Sequence, residues 1–275
     1  MHTLRKFLRN PTALVGTIIL SALVLIAVIG PFFVQDPLLQ QTSIKLQPPS
    51  LEHWFGTDDF GRDVLARIVV GARYSLTAGL VAVGLGLLGG LIMGAFAGYY
   101  GGLLDQVIMT LCDIMLAFPS ILLAMGVVMV MEPGIYTPMV AVGISSIPTF
   151  ARLVRAQFMS LRTSSFVEAV RSSGAGDLRI IFRHLLPNSL GPVIIQATLR
   201  IGSAILMAAT LSFLGLGAQP PMPEWGSMLS FARNYIWTAP YLAVIPGIAI
   251  TLTVIAVNLI GDALRDFIDP RTRDI

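Results

Sequence analysis

The chain has 275 residues, of which 55% are hydrophobic and only 12% charged, with a formal net charge of +3. A soluble domain carries about a quarter charged residues, so this composition excludes an ordinary soluble protein and indicates a polytopic membrane protein. The single cysteine, Cys112, excludes an internal disulfide, and the sequence has neither a zinc-type cysteine cluster nor a glycine-rich phosphate loop. We therefore expect no metal site and no ATP site in this chain.

Six apolar segments, taken in chain order, are each close to the ~20 residues that a helix needs to cross a bilayer. The first exceeds the core of a signal peptide and lacks a cleavage site, so it is predicted to remain as a span. Pro119, Pro148 and Pro246 can interrupt or kink the spans that contain them. The predicted spans cover approximately 12–33, 76–98, 106–131, 136–158, 190–214 and 240–262.

Lysine and arginine residues orient these spans, because they concentrate on the cytoplasmic side of a membrane. Six spans place three basic clusters on one side, whereas five spans would put the N-terminal cluster on the wrong side. We therefore expect both termini, and the loop between spans four and five, in the cytoplasm. The clusters are Arg5, Lys6 and Arg9; Arg152, Arg155, Arg162, Arg171, Arg179 and Arg183; and Arg265, Arg271 and Arg273.

Two regions are distinguished by this pattern. Residues 1–75 hold the N-terminal cytoplasmic tail, the first span and an external segment, and residues 76–275 form a five-helix core with a cytoplasmic loop over 160–190. Within the external segment, residues 53–67 mix charged residues with turn formers, and we expect them to form a structural cap without a ligand.

Span two carries a glycine at every fourth position, which places Gly86, Gly90, Gly94 and Gly98 on one helix face. Removal of side chains from one face lets another helix approach closely within lipid. General enrichment of glycine in membrane helices explains single glycines but not this register. We expect tight helix packing here, against a helix of this chain or of a partner.

Two ionisable residues within spans are candidates for the transport pathway. An ionisable side chain in hydrocarbon costs at least ~2.5 kcal/mol, so it usually faces a bundle interior or a cavity. Arg200 lies deep in span five, and Asp113 lies closer to the start of span three. For each of them, a structural hydrogen bond to a neighbouring helix is an equally good explanation.

The loop between spans four and five contains the stretch "FVEAVRSSGAGDLRIIFRHLLP", residues 166–187, which is unusually charged for this chain. Ser165 and Glu168 have the spacing of a capping box, and Gly174 suits the left-handed residue after a helix. Asp177 is expected to cap a second short helix, which Pro187 would end before span five. An apolar stripe on that helix is predicted from Leu178, Ile181, Phe182, Leu185 and Leu186.

Three uses compete for this turn-linked pair of helices, whose other face carries Arg179 and Arg183. A DNA-reading motif is disfavoured because membrane spans tether it on both sides, so we expect no nucleic acid partner. A basic amphipathic helix lying on anionic lipid explains the second helix but not the first. Docking onto a cytoplasmic protein explains both.

The residues of this loop resemble the "EAA…G…LP" loop of ABC importer permeases. The match rests on Glu168-Ala169, Gly174 and Leu186-Pro187, although Val170 replaces the second alanine and His184 replaces a common isoleucine. Three further stretches resemble the dipeptide, oligopeptide and nickel group of these permeases. They are "HWFGTDDFGRDVLARIVVGARYSL" (53–76), "SFLGLGAQPPMPEWGSML" (212–229) and "NLIGDALRDFIDPR" (258–271).

This resemblance implies an all-α, MetI-like type I ABC importer permease fold in a bacterial or archaeal cytoplasmic membrane. It implies a second homologous permease subunit, two cytoplasmic ATPase subunits that bind ATP and Mg²⁺, and an extracytoplasmic solute-binding protein. In such permeases the loop inserts into the ATPase and transmits its closure to the spans. The residues that would form this element are Glu168, Ala169, Gly174, His184, Leu186 and Pro187.

The expected function is therefore import of dipeptides or oligopeptides, with nickel or glutathione as alternative cargo and no bond chemistry catalysed by this chain. An ion-coupled secondary transporter would need an ion site in broken helices of matched halves, and no convincing internal repeat is visible. An intramembrane protease would need a paired catalytic constellation. Asp113 has no obvious second aspartate in another span, and no histidine lies within any span.

Overall fold

The computed structural model describes residues 10–268, and within them every regular element is a helix apart from one isolated bridge between Thr57 and Asp63. The predicted all-α fold is thus confirmed. Of the basic clusters, Arg5, Lys6, Arg9, Arg271 and Arg273 lie outside the described residues. The helices are α1 (Pro11–Ile29), α2 (Val64–Tyr100), α3 (Gly102–Ala117), α4 (Ser120–Val130), α5 (Thr137–Arg162), α6 (Ser165–Ser172), α7 (Asp177–Phe213), α8 (Trp225–Ala232) and α9 (Tyr241–Ile268).

Five helices of the described part, α1, α2, α5, α7 and α9, are long and apolar enough to cross a membrane. The third predicted span is not continuous. Its two halves, α3 and α4, meet at a bend of 98°, where Phe118 and Pro119 adopt extended backbone. The proline interrupts the helix because its ring removes an N–H and disfavours helical backbone at the residue before it. Pro148 and Pro246 lie inside continuous helices.

Helix α2 is longer than the sequence pattern predicts, because it begins at Val64 rather than near residue 76. Asp63 caps this end by accepting a hydrogen bond from the Ala66 N–H at 2.8 Å. The charged residues Arg67 and Arg73 are the reason that the sequence pattern did not predict the first three turns as part of the helix. Residues 64–75 are therefore helical, and most of them are buried.

The α2–α5 pair forms the largest helix–helix contact among the described residues, and α9 packs against both α1 and α7. Apolar clusters fill the bundle from end to end. One of them, at the end that carries α6, joins Tyr99 of α2, Val154 and Phe158 of α5, and Ile180 and Leu185 of α7. This cluster seats the segment between α5 and α7 on the bundle.

Candidate functional site

The segment between α5 and α7 folds as a protruding pair of short helical pieces, residues 163–185, which we call the knob. Its first helix begins after Ser164, whose hydroxyl donates to the Leu161 carbonyl rather than capping the helix. The predicted capping box of Ser165 and Glu168 is therefore wrong. Ser165 is the first helical residue rather than the residue before the helix, so Ser165 and Glu168 are both one position too far along to form the box. The Glu168 side chain is exposed.

The turn of the knob depends on Gly174, which has a φ of +82°. Its N–H bonds to the Arg171 carbonyl at 3.0 Å, and the next N–H bonds back to the Val170 carbonyl at 3.3 Å. A side chain is strained in this left-handed backbone, whereas glycine adopts it freely. Gly174 thus occupies the position after the helix that the sequence predicted for it.

The sequence pattern predicted that Pro187 ends the second helix, but the helix continues through it. A single π-turn, Ile181–Leu185, links the start of α7 to its long apolar part, so that Asp177–Phe213 forms one continuous helix. At the junction the Leu186 N–H donates to the Ile181 carbonyl five residues earlier. Pro187 stands at the first turn of the segment that follows, where its missing N–H is tolerated.

The predicted apolar stripe of the second helix is only partly correct. Ile181 and Leu185 are buried together with Ile180, but Leu178 and Phe182 are 61% and 59% exposed. Ile180 and Phe182 flank Ile181 and are both apolar, so periodicity alone could not decide which of them faces the bundle. The second helical piece of the knob therefore presents two large apolar side chains on its outer surface.

Asp177 has a different role from the predicted helix cap, since Gly176 is the N-cap residue. The Tyr99 hydroxyl, at the end of α2, donates to Asp177 Oδ1 at 2.6 Å. Arg171 Nη2 in turn donates to the same hydroxyl at 3.3 Å, and the guanidinium lies 5.8 Å from the ring centroid. Sequence analysis missed Tyr99, because a tyrosine at the end of a span is expected simply from interfacial preference.

The remaining predicted knob residues lie near or on the outer surface. Glu168, Ala169 and Pro187 are exposed, and His184 and Leu186 are half-buried. The structure brings Ala169 and His184 together with both predicted surface arginines in a shallow groove between the two helical pieces. The groove is lined by Ala169, Val170, Ser173, Ala175, Arg179, Arg183 and His184.

The glycine face of α2 lies directly against α5 of the same chain. A Cβ added at any of its four glycines would lie 2.3–2.8 Å from an α5 atom. The closest approaches are to Phe150 Cβ at Gly90 and to the Ala151 carbonyl at Gly94. At Gly86 and Gly98 the neighbours are Ser146 and Phe158. The helix that the sequence left unidentified is therefore α5.

Arg200 and Asp113 are not brought together, and each of them contacts α5. Arg200 Nη2 donates to Thr149 Oγ1 at 3.1 Å, and Asp113 forms an exposed ion pair with Arg152. One turn further, Arg155 makes a two-pronged contact with Asp105, a pair that sequence analysis did not identify. A row of polar side chains on α5 thus binds α3 and α7.

The opposite end of the bundle contains a buried charged network in the segment that the sequence presented as a turn-rich cap. Arg62 Nε donates to Asp58 Oδ2 at 2.6 Å, and Arg67 lies 3.5 Å from the same oxygen. His53 contacts Asp63 at 2.9 Å. These contacts lie within 53–67, and Arg67 Nη1 also donates to the Pro221 carbonyl at 3.3 Å, which connects the segment to the stretch before α8. Among residues 10–268, no group of acidic, histidine or cysteine side chains suits a metal ion.

Glu224 lies in the same half of the molecule and caps α8. Its carboxylate accepts the N–H groups of Gly226 and Ser227 at 2.9 and 2.8 Å. Burial raises the pKa of Glu224 above its usual value, and these two hydrogen bonds oppose the shift. The neighbouring indole N–H of Trp225 donates to the Ile68 carbonyl of α2 at 3.1 Å.

Two protein families match the chain in sequence. Residues 90–274 match the family described as binding-protein-dependent transport system inner membrane component. Residues 2–49 match the N-terminal transmembrane domain of oligopeptide transport permease C.

Individual relatives cover almost the whole chain. The dipeptide transport system permease protein DppC of Alkalihalophilus pseudofirmus is 49% identical, over 98% of this chain and 89% of that protein. The glutathione transport system permease protein GsiD of Escherichia coli O6:K15:H31 is 46% identical, over 98% and 89%. Among solved structures, an inward-facing conformation of the MetNI methionine ABC transporter shares the fold, with a TM-score of 0.59, 20% identity, and coverage of 73% of this chain and 96% of that one.

Proposed function

This chain belongs to the family of binding-protein-dependent transport system inner membrane components and is a membrane-spanning permease subunit of an ABC importer, and we propose that its cargo is a dipeptide or a short oligopeptide. The similarity to a dipeptide permease over 98% of the chain supports this cargo. Glutathione, itself a small peptide, is the second candidate, since glutathione permeases are nearly as similar.

The energy for transport would come from two ATPase subunits, which bind ATP and Mg²⁺, rather than from this chain. A solute-binding protein outside the membrane would deliver the peptide, and a second homologous permease would complete the pathway. Arg200 and Asp113 would line or support that pathway, each held by its contact with α5. The knob and both termini would lie in the cytoplasm, as the basic clusters favour.

The observation that carries the coupling proposal is the shape of the knob. Its inner side is anchored by a buried apolar cluster, while Glu168, Ala169 and the two apolar side chains Leu178 and Phe182 remain exposed. Exposed apolar side chains rimmed by polar residues are typical of a protein-binding surface. We infer that this outer surface contacts the ATPase, with Gly174 setting the angle between the two helical pieces.

The cargo is tested with the complete complex in proteoliposomes, by measuring uptake of a radiolabelled dipeptide with the binding protein outside and ATP inside. We expect ATP-dependent uptake that excess unlabelled dipeptide competes away more effectively than glutathione or Ni²⁺ does. Uptake driven by an ion gradient without ATP would contradict the importer assignment. Stronger competition by glutathione or nickel would move the cargo to that alternative.

The coupling role is tested by Glu168→Lys, which reverses a charge on the outer surface without touching the buried cluster. We expect normal insertion in the membrane, reduced recovery of the ATPase in pull-downs and loss of uptake. The matched control is Lys45→Glu, which also reverses a charge on an exposed side chain but lies in the segment before α2. It should retain both ATPase recovery and uptake. Normal ATPase recovery and uptake in Glu168→Lys would refute this role.

A further inference from the structure

Tyr99 is the one side chain of α2 that bonds to both helical pieces of the knob in the part of the chain that the structure describes. Its hydroxyl donates to Asp177 at the start of α7 and accepts a hydrogen bond from Arg171 at the end of α6. The ring itself is buried, with the residue only 6% exposed. A single hydroxyl therefore fixes the two pieces on either side of the Gly174 turn relative to α2.

The same region fastens the end of α2 to α5. Arg162 Nη1 donates to the carbonyls of Gly98 and Tyr99 at 3.3 and 3.1 Å, which satisfies acceptors that a helix end leaves open. The glycine face continues this contact along α5. The last turn of α2 thus contacts both the knob and α5, the helix that packs most closely against α2.

The other end of α2 is in close contact with the segment around α8. The Trp225 indole bonds to the Ile68 carbonyl, and a Cβ at Gly71 would lie 2.1 Å from the Pro223 carbonyl. With 37 residues at 1.5 Å each, α2 is about 55 Å long. A displacement of the knob that α2 follows would therefore reach the α8 segment at the far end of the molecule.

On the basis of the proposed function, we propose that Tyr99 is a positioning residue that transmits movement of the knob to α2. The apolar cluster keeps the knob attached to the bundle, and the Tyr99 hydroxyl sets its orientation. Removal of the hydroxyl leaves the ring and the cluster in place while it breaks both polar bonds. The knob would then move with the ATPase without carrying α2 along.

The experiment compares Tyr99→Phe with wild type in the reconstituted complex, measuring ATPase recovery, ATP hydrolysis and peptide uptake separately. We expect ATPase recovery and hydrolysis within about twofold of wild type, and uptake per ATP hydrolysed reduced by about tenfold, a factor that loss of hydrogen bonds to charged groups can produce. Tyr100→Phe is the matched control. Its hydroxyl has no hydrogen-bond partner among residues 10–268, and it should match wild type in all three measurements.

Asp177 supplies a second test of the same bond. Asp177→Ala should reproduce the loss of uptake per ATP, and adding it to Tyr99→Phe should cause little further loss, because both variants break the bond between Tyr99 and Asp177. Asp177→Asn keeps an acceptor oxygen and should retain more coupling than Asp177→Ala. Unchanged uptake per ATP in Tyr99→Phe would overturn the inference, as would an equal loss of ATPase recovery and uptake, which indicates a merely structural role. Absence of ATP-driven uptake in the wild-type complex would instead overturn the proposed function and this inference with it.

Discussion

The contact between α2 and α5 leads to a sharp prediction at Gly94. A Cβ at this position would lie 2.4 Å from the Ala151 carbonyl oxygen and 2.8 Å from Val154 Cβ. Ordinary contact begins near 3.4 Å, so Gly94→Ala must push the two helices apart by about 1 Å or distort the α5 backbone. Overpacking of this kind costs about 1–3 kcal/mol.

Gly84 provides the matched control, because it lies in the same helix with no atom within 4 Å of an added Cβ. Alanine is the better helix former by up to about 1 kcal/mol, so Gly84→Ala should be neutral or stabilising. Thermal unfolding of both variants in detergent tests the difference, at about 2–4 °C per kcal/mol for a chain of roughly this size. Equal melting temperatures for the two variants would refute the argument that α2 and α5 are in backbone contact.

Three further predictions follow from other parts of the molecule. Gly174→Ala should reduce uptake because alanine is strained at a φ of +82°. Gly176→Ala should not, because Gly176 has a φ of −72° and open space around it. Equal uptake in the two variants would contradict the strained turn. The raised pKa of Glu224 should stabilise the folded protein most at pH values below about 4.5, with this contribution lost as pH rises through the folded-state pKa. Glu224→Gln should flatten that pH profile of the melting temperature, and an unaltered profile would exclude Glu224 as its source. Asp58→Asn removes a counter-charge from two buried guanidinium groups and should lower the free energy of unfolding by about 3–5 kcal/mol in denaturant titration. Asp59 is less buried, so Asp59→Asn should have a smaller effect. The reverse order would contradict the network.

Apolar length and glycine register were sufficient to predict most of the bundle. Five predicted spans correspond to continuous helices, because lipid forces their backbone groups to bond within each helix. The break at Pro119 was foreseeable only as a possibility. A proline interrupts some helices and is accommodated within others, as a comparison with Pro148 and Pro246 shows.

The knob was predicted in outline and missed in detail. Gly174 was found because a left-handed turn requires a particular residue type. The roles of Asp177 and Tyr99 depend on contacts between residues that are 78 positions apart in sequence, which local patterns do not reveal. Likewise, Arg62 just before α2 and Arg67 in its first turn are typical of a solvated loop until their burial against Asp58 is known.

The central claim is that the knob contacts a separate ATPase, and site-directed cross-linking tests it most directly. Cys112 is fully buried and can be replaced by alanine, so that a single cysteine introduced at exposed Ala169 carries the cross-linker. Ser50→Cys, exposed on the opposite half of the molecule, is the control. We expect the cysteine at position 169 to link to the ATPase in the assembled complex and the one at position 50 not to do so. Cross-linking to the ATPase from position 50 and none from position 169 would contradict it.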